Sequence, residues 1–222
     1  MKYFFIPLLL FLIAAFVTYL ISVSVKNSHA KNEASQILWY GKDREYYVYE
    51  MIASAFPRKN VFRNLNIPIR VQNNTYFSEI DIVIVTHAGV VVIEVKGMKG
   101  KIDNPAQGPW QQIYRDKILN FENPFEQNDT HCKAIRALLK KQGILNVPVY
   151  NVVVFADKNV SFTHKYKMLF KAEAIVDFIA YLNDKFTLSG KDIKNIDSVL
   201  SHFQKKQRKM LYEKKQKESN GK

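Results

Sequence analysis

Cysteine is almost absent from this chain of 222 residues, which contains only Cys132. A single cysteine excludes a disulfide within the chain. The five histidines are scattered, and no Cys/His spacing is typical of a zinc site. We therefore expect Cys132, in a predicted helix, to be a small hydrophobic core residue. No internal repeat is present.

Acidic residues are also scarce: 20 Asp and Glu stand against 33 Lys and Arg, which gives a net charge of +13. The excess is concentrated at the C-terminus, where residues 204–222 hold eight basic and two acidic residues. Such a basic chain suggests a polyanionic partner, either nucleic acid or an anionic lipid surface. A lysine-rich end that only keeps the chain soluble is the alternative for the tail.

The N-terminus contains a long apolar segment, because residues 3–25 carry no charged side chain. As a helix, a segment of this length crosses a hydrocarbon core of about 30 Å. A cleavable signal peptide is the rival interpretation, but its apolar region usually has only about 7–15 residues. More basic residues follow the segment than precede it, so the positive-inside rule predicts a single-pass cell-membrane protein with a cytoplasmic body.

The remainder reads as one α/β domain. Two apolar, β-branched runs separated by a short turn ending in Gly89 predict a buried β-hairpin. Residues 97–120 contain several Gly and Pro and are predicted to be irregular. The other predicted elements are a helix at 43–56, an extended segment at 60–71, hairpin strands at 80–85 and 90–96, a helix at 123–142, a strand at 146–155, and helices at 171–182 and 191–217.

Three charged residues interrupt the buried hairpin: Asp81 in the first strand, and Glu94 and Lys96 in the second. Glu94 and Lys96 share one face of their strand, and the hairpin brings Asp81 close to them. Burying these charges without a partner is unfavourable, and a divalent cation relieves the carboxylates. A magnesium site for phosphodiester hydrolysis is one interpretation. A purely structural ion pair between Lys96 and either acid is the other.

Several short segments follow one another in a characteristic order. They are Gly41-Lys42-Asp43-Arg44-Glu45, Glu79-Ile80-Asp81, Ile93-Glu94-Val95-Lys96, Gly100, Trp110 and Asn123-Pro124-Phe125-Glu126-Gln127. This order of motifs resembles the nuclease-related (NERD) domain of the PD-(D/E)XK nuclease superfamily. The resemblance covers about residues 41–142. Arg44 stands where this family usually has Gly.

The resemblance implies a restriction-endonuclease-like mixed β-sheet flanked by helices. It also implies roles for individual residues in a metal-dependent nuclease. Asp81 and Glu94 would bind Mg²⁺, or alternatively Mn²⁺, together with the carbonyl of Val95. Lys96 would position or activate the attacking water, and Gln127 would orient Lys96 or that water.

Three further residues have more than one interpretation. Glu45 would support the site or a second metal, although an acid in the first turn of a helix is also favoured by the helix dipole. Trp110 is expected to pack in the core rather than stack on a base. His131 lies one turn beyond Gln127, and we predict that it lies on the helix surface rather than in the cleft.

These patterns predict an anchor (1–26), a linker (27–40), a nuclease-like core (41–157), a C-terminal helical extension (158–203) and a basic tail (204–222). The function expected is that of a membrane-anchored nuclease acting on nucleic acid, DNA in particular. A non-catalytic nucleic-acid-binding or membrane-tethering module with the same fold is the main alternative. Two further alternatives are a glycosidase and a membrane scaffold whose basic tail binds lipid.

Overall fold

The computed structural model describes residues 40–71, 74–185 and 188–220. The predicted anchor lies outside these residues, as does the predicted linker except for Tyr40. Within the described ranges, no helix combines the length and apolarity that membrane crossing requires. Residues Asp43–Lys222 form a compact unit. Helix α1 spans residues 40–55.

The main sheet has five strands in the order β1-β2-β3-β7-β9. The first three strands are antiparallel neighbours. β7 then pairs in parallel with β3, and β9 pairs in parallel with β7. Thr86 pairs with Gly89, so the predicted hairpin is confirmed. The strands are β1 (Val61–Val71), β2 (Asn74–Thr86), β3 (Gly89–Lys96), β7 (Val149–Phe155) and β9 (Leu169–Lys171).

Helices cover both faces of this sheet. α1 and α3 (Ile175–Lys185) pack on one face, where Val48, Ile52 and Ile179 are fully buried. The helical spacing of apolar residues in α1 predicts that Ala55 is buried. This prediction is wrong, because Ala55 is exposed and Ala53 is buried instead. Burial of one large aliphatic side chain stabilises the fold by about 1.5–3 kcal/mol, so these layers hold the sheet in place.

The opposite face is covered by α2 (Pro124–Lys141) and α4 (Gly190–Asn220). Asn123 caps α2, because its side chain accepts a hydrogen bond from the backbone N–H of Phe125 at 3.0 Å. Cys132 is fully buried in this layer, as predicted. Burial raises the pKa of its thiol to about 12, so this residue is an inert core side chain.

The prediction of an irregular segment at 97–120 is wrong, because this region forms most of a second, mixed sheet. Its order is β6-β5-β4-β8, with β4–β8 parallel and the other pairs antiparallel. These strands have three to five residues, too few to show an alternating apolar pattern. They are β4 (Gly100–Asp103), β5 (Trp110–Tyr114), β6 (Lys117–Phe121) and β8 (Val160–Phe162).

Trp110 packs in the core of this second sheet, as predicted. Its side chain is fully buried, and its indole N–H donates to the carbonyl of Pro105 at 3.1 Å. Rings of Phe121, Phe125, Phe155 and Tyr166 surround it at centroid distances of 6.0–6.5 Å. The ring is therefore enclosed by protein and not presented to a ligand.

The predicted C-terminal extension (158–203) is part of both sheets, because β8 and β9 lie within it. Helix α4 continues through residue 204, where we predicted the basic tail to begin. Its Gln207 donates to the carbonyl of Asn64 at 2.8 Å and accepts from the backbone N–H of Asn66 at 3.0 Å. The first turns of the basic segment thus cover the free edge of β1.

Candidate active site

The candidate site lies where β2 separates from β3. The pairing of these strands ends at Ile82↔Ile93, whereas β3 continues beside β7 as far as Lys96↔Phe155. Among the strands that the structure describes, the last three residues of β3 therefore have a neighbour on one side only. Glu94 and Lys96 lie in this unpaired stretch, at the edge of a gap in the sheet.

A local twist at Asp81 produces this gap. Ile80 and Ile82 pack into opposite helical layers, although residues two apart in a regular strand share one face. Across β1, Asn64 falls between the pairs Arg63↔Ile82 and Leu65↔Ile80 and has a φ of 52°. Both strands thus change orientation at this point, and β2 turns away from β3.

The carboxylate of Asp81 bridges the gap. Its Oδ2 accepts a hydrogen bond from the backbone N–H of Val95 at 2.8 Å. Because the N–H and C=O of one residue in a β-strand point to the same edge, the carbonyl of Val95 faces the gap as well. The carboxylate and this carbonyl are therefore on the same side of β3.

Glu94 and Lys96 project toward α2, whereas Val95 packs in the opposite layer, as the strand alternation predicts. Nζ of Lys96 lies 2.7 Å from Oε1 of Glu94 and donates to Oε1 of Gln127 at 2.8 Å. Glu94 is only 3% exposed. The structure thus brings Asp81, Glu94, Lys96 and Gln127 together.

His131 also belongs to this cluster, so the prediction that it lies on the helix surface is wrong. It is buried, and its Nε2 lies 3.4 Å from Oε2 of Glu94. Its Nδ1 lies 2.5 Å from the hydroxyl of Ser78, which is also buried. The sequence did signal this position, because Gln127, His131 and Ile135 recur at four-residue spacing on the buried face of α2. No motif pointed to Ser78.

The two carboxylates differ in their electrostatic surroundings. Burial, and then the charge of Glu94, raise the pKa of Asp81 to about 8. Burial also acts to raise the pKa of Glu94, but contacts with His131 and Lys96 outweigh it and lower that pKa. We therefore expect the pair to hold one proton near neutral pH, with Asp81 the carboxyl group that is harder to ionise.

Glu45 of α1 lies close enough to this cluster to affect it. Its charge contributes to the raised pKa of Asp81, and its side chain is partly buried. Among the residues that the structure describes, no three His, Cys, Asp or Glu side chains form a group that suits a metal ion. A cation here would thus need the two carboxylates together with backbone oxygen and water.

The sequence is similar to a known family along this part of the chain. The family model described as the nuclease-related domain matches residues 40–156. An uncharacterized protein of Bacillus anthracis is 30% identical over 122 residues, which is 54% of this chain and 54% of that protein. The chain thus spans about half the length of this relative. No solved structure matches. The family model covers more than half of the chain and includes every residue of the gap in the sheet, so this protein belongs to the nuclease-related domain (NERD) family.

Proposed function

We propose that this protein is a nuclease that hydrolyses phosphodiester bonds of nucleic acid, DNA in particular, with Mg²⁺ as cofactor and Mn²⁺ as a substitute. The observation that carries this proposal is the meeting of Asp81, Glu94 and Lys96 at the gap between β2 and β3. Two acids can hold a divalent cation, and a lysine beside them can stabilise charge on the phosphate, so these groups suit metal-assisted phosphodiester hydrolysis.

The donor set fits Mg²⁺. The buried carboxylate of Glu94 and the half-buried carboxylate of Asp81 lie beside a single lysine, and burial together with the charge of Glu94 raises the pKa of Asp81. Carboxylate and carbonyl oxygens with several waters are the ligands that Mg²⁺ prefers. Asp81, Glu94 and the carbonyl of Val95 would hold the ion. When bound, it would lower the pKa of a coordinated water and neutralise charge on the scissile phosphate.

The remaining residues would position the reacting groups. Gln127 holds the ammonium group of Lys96 by accepting one of its hydrogen bonds. A second N–H group of Lys96 donates to Glu94, so Lys96 would use its third to hold the attacking water, and its charge would stabilise the negative charge that develops on the phosphate. Glu45, on the other side of Asp81, would hold a second water or a second metal ion.

We further propose that residues 3–25 anchor the protein as a single span with the body in the cytoplasm. The uncharged apolar run and the basic residues that follow it support this. The test is protease protection: protease added to intact cells should leave the body uncut, and lysis should expose it. Digestion without lysis would show that the orientation is the opposite one.

The nuclease activity is tested with the full-length chain in a mild neutral detergent, on single- and double-stranded DNA and RNA, with Mg²⁺, Mn²⁺ or EDTA. Cleavage should require the metal. It should be abolished in Asp81→Ala, Glu94→Ala and Lys96→Ala, because groups that act as one unit fail together. Asp129→Ala is the matched control, since Asp129 is on α2 and forms an ion pair with Lys133 at 2.7 Å. Metal-dependent cleavage that persists in all three variants would contradict the proposal.

A second candidate is a module that binds nucleic acid without cleaving it, or that tethers it to a membrane. The observation behind this candidate is the ion pair of Lys96 with Glu94 at 2.7 Å. A lysine whose role is purely structural would form a pair of the same geometry. A wild-type protein that binds oligonucleotides but cleaves none of them with either metal would support it. In that case Lys96→Ala would lower stability and leave binding unchanged.

A further inference from the structure

We propose that a groove between β1, α1 and α4 binds the phosphate backbone of the nucleic acid on one side of the scissile phosphate. This proposal rests on the nuclease function proposed above and specifies where the substrate lies. The groove has a volume of about 490 Å³. We call it the basic groove; its charged lining residues are Arg58, Lys59, Arg63 and Arg208.

The charge of the basic groove suits a polyanion. Of the described residues that line it, four are cationic and none is acidic. Two carboxylates lie beside this lining: Glu50 pairs with Arg58 at 2.8 Å, and Asp197 of α4 interacts electrostatically with Lys59. A concave surface of one charge sign concentrates its field and attracts ligands of the opposite sign.

Two arginines of the groove are held in position by aromatic rings. The guanidinium carbon of Arg63 lies 4.8 Å from the ring centroid of Tyr46 and 5.2 Å from that of Tyr49. Arg58 lies 5.7 Å from the ring of Tyr49. Stacking directs the N–H edge of the Arg63 guanidinium to phosphate and limits the side-chain entropy that Arg63 loses on binding. Arg58, in contrast, donates to both carboxylate oxygens of Glu50, so it contributes to the groove mainly by its position and charge.

The wall formed by α4 argues against a peptide as the occupant. Gln204 and Gln207 donate to the carbonyls of Arg63 and Asn64, so the edge of β1 is already covered at these residues. An extended peptide therefore cannot add to the sheet here by backbone pairing. α4 also lies beyond residues 40–156, which match the family model. The groove thus depends on this chain's own C-terminal helix.

The basic groove lies close to the candidate active site. Asn64 lines it, and the same residue is opposite Asp81 in the β1–β2 register. The edge of β1 and the gap between β2 and β3 are two strand spacings apart, roughly 10 Å. A nucleic acid strand with one phosphate at the gap would therefore present neighbouring phosphates to the groove.

Binding of a fluorescent oligonucleotide to the full-length chain in EDTA tests this proposal without cleavage. Arg63→Gln/Arg208→Gln should weaken binding by about tenfold or more and reduce the slope of log K against log[salt] by roughly 1.5, as expected for two lost phosphate contacts. Lys140→Gln/Lys141→Gln, which removes two exposed charges from the end of α2, is the matched control and should change binding by less than about twofold. Equal effects of the two double variants would overturn the proposal.

Arg63 is partly buried against α1, so its replacement also affects the stability of the fold. A second variant separates a loss of stability from a loss of binding. Lys59 and Arg208 are both exposed, and Lys59→Gln/Arg208→Gln should give the same loss with an unchanged unfolding transition. Vesicles containing phosphatidylserine provide a further arm. Loss of vesicle binding with intact oligonucleotide binding would overturn the proposal and assign the groove to lipid.

Cleavage with Mg²⁺ is measured separately, so that the two proposals fail in different ways. If the wild type never cleaves but the groove variants lose affinity, the groove proposal stands and the nuclease proposal fails. If the wild type cleaves and the groove variants bind like the control, only the groove proposal fails. If both hold, the groove variants should raise KM and leave kcat unchanged.

Discussion

Nε2 of His131 lies 3.4 Å from Oε2 of Glu94, while the other oxygen of this carboxylate, Oε1, lies 2.7 Å from the ammonium group of Lys96. Glu94 is therefore held between α2 and its own strand. Ser78 contacts the other ring nitrogen of His131 and so fixes the orientation of the imidazole. His131 is thus a positioning residue for the carboxylate that we propose as a metal ligand.

His131→Ala should weaken Mg²⁺ binding by about 10–100-fold, which is the usual effect of removing a residue that orients a ligand. Titration calorimetry with Mg²⁺ measures this directly. His202→Ala is the matched control, because His202 is exposed on α4. Ser78→Ala should give a smaller loss, since the imidazole remains but is free to rotate. Unchanged Mg²⁺ affinity in His131→Ala would show that Glu94 does not need this contact.

The half-buried carboxyl of Asp81 makes the stability of the fold depend on pH. Its pKa is about 8 in the folded protein against an ordinary value of 3.8, so the folded state holds a proton that the unfolded chain releases. The stabilisation is complete below about pH 4 and is lost as the pH rises through about 8. The lowered pKa of Glu94 acts only in acid, below its ordinary value of 4.5.

Urea denaturation in EDTA should therefore give a lower free energy of unfolding at about pH 8 than at about pH 5.5. Asp81→Asn has no titrating group at this position and should lose most of this difference. Asp103→Asn, in the second sheet, is the control and should retain it. An unfolding free energy that is flat across this range in the wild type would contradict a neutral Asp81.

The same proton competes with the metal ion. Because Asp81 must ionise to bind a cation, Mg²⁺ affinity should rise by about tenfold per pH unit below the pKa of Asp81 and level off above it. Calorimetry in two buffers of different ionisation enthalpy should also detect about one proton released for each ion bound. Affinity that does not change between about pH 6 and 8 would show that Asp81 is not a ligand.

The candidate site was predictable because its charges interrupt strongly apolar strands. A hairpin places Asp81, Glu94 and Lys96 together whatever surrounds it. His131 was assigned wrongly because the packing of the whole helix decides which face is buried. The apolar stripe of α2, which contains Ile135 and Leu138, also includes His131. The second sheet was missed because its short strands lie among Gly and Pro residues, and tertiary contacts, not local pattern, make them strands.

Trp110 should contribute to stability and not to nucleic-acid binding. Trp110→Ala removes a fully buried indole and should lower the free energy of unfolding by about 3–5 kcal/mol. Trp110→Phe keeps an aromatic ring among the four that surround the site and should cost less. Folded Trp110→Phe should bind an oligonucleotide as the wild type does. Weakened binding with unchanged stability would instead indicate that the ring stacks on a base.

Replacement of Gln127 distinguishes a Lys96 that takes part in catalysis from one that only forms a structural ion pair. Gln127→Ala removes the acceptor 2.8 Å from the ammonium group of Lys96 but leaves the pair with Glu94 in place. A hydrogen bond to a charged group is worth about 1.5–3 kcal/mol, so kcat should fall roughly 10–100-fold if Lys96 acts on the reacting groups. KM should not change, because Gln127 itself does not hold the substrate.

Steady-state cleavage over a range of oligonucleotide concentrations measures kcat and KM, and a single-turnover experiment with enzyme in excess isolates the chemical step. Gln111→Ala is the control, since Gln111 makes a comparable amide contact with Asn120 on the second sheet and should leave kcat unchanged. Gln127→Glu keeps an acceptor for Lys96 and should recover part of the lost rate. If Gln127→Ala lowers the unfolding free energy while kcat stays at the wild-type value, Lys96 serves only to neutralise Glu94, and the water must be positioned by another group.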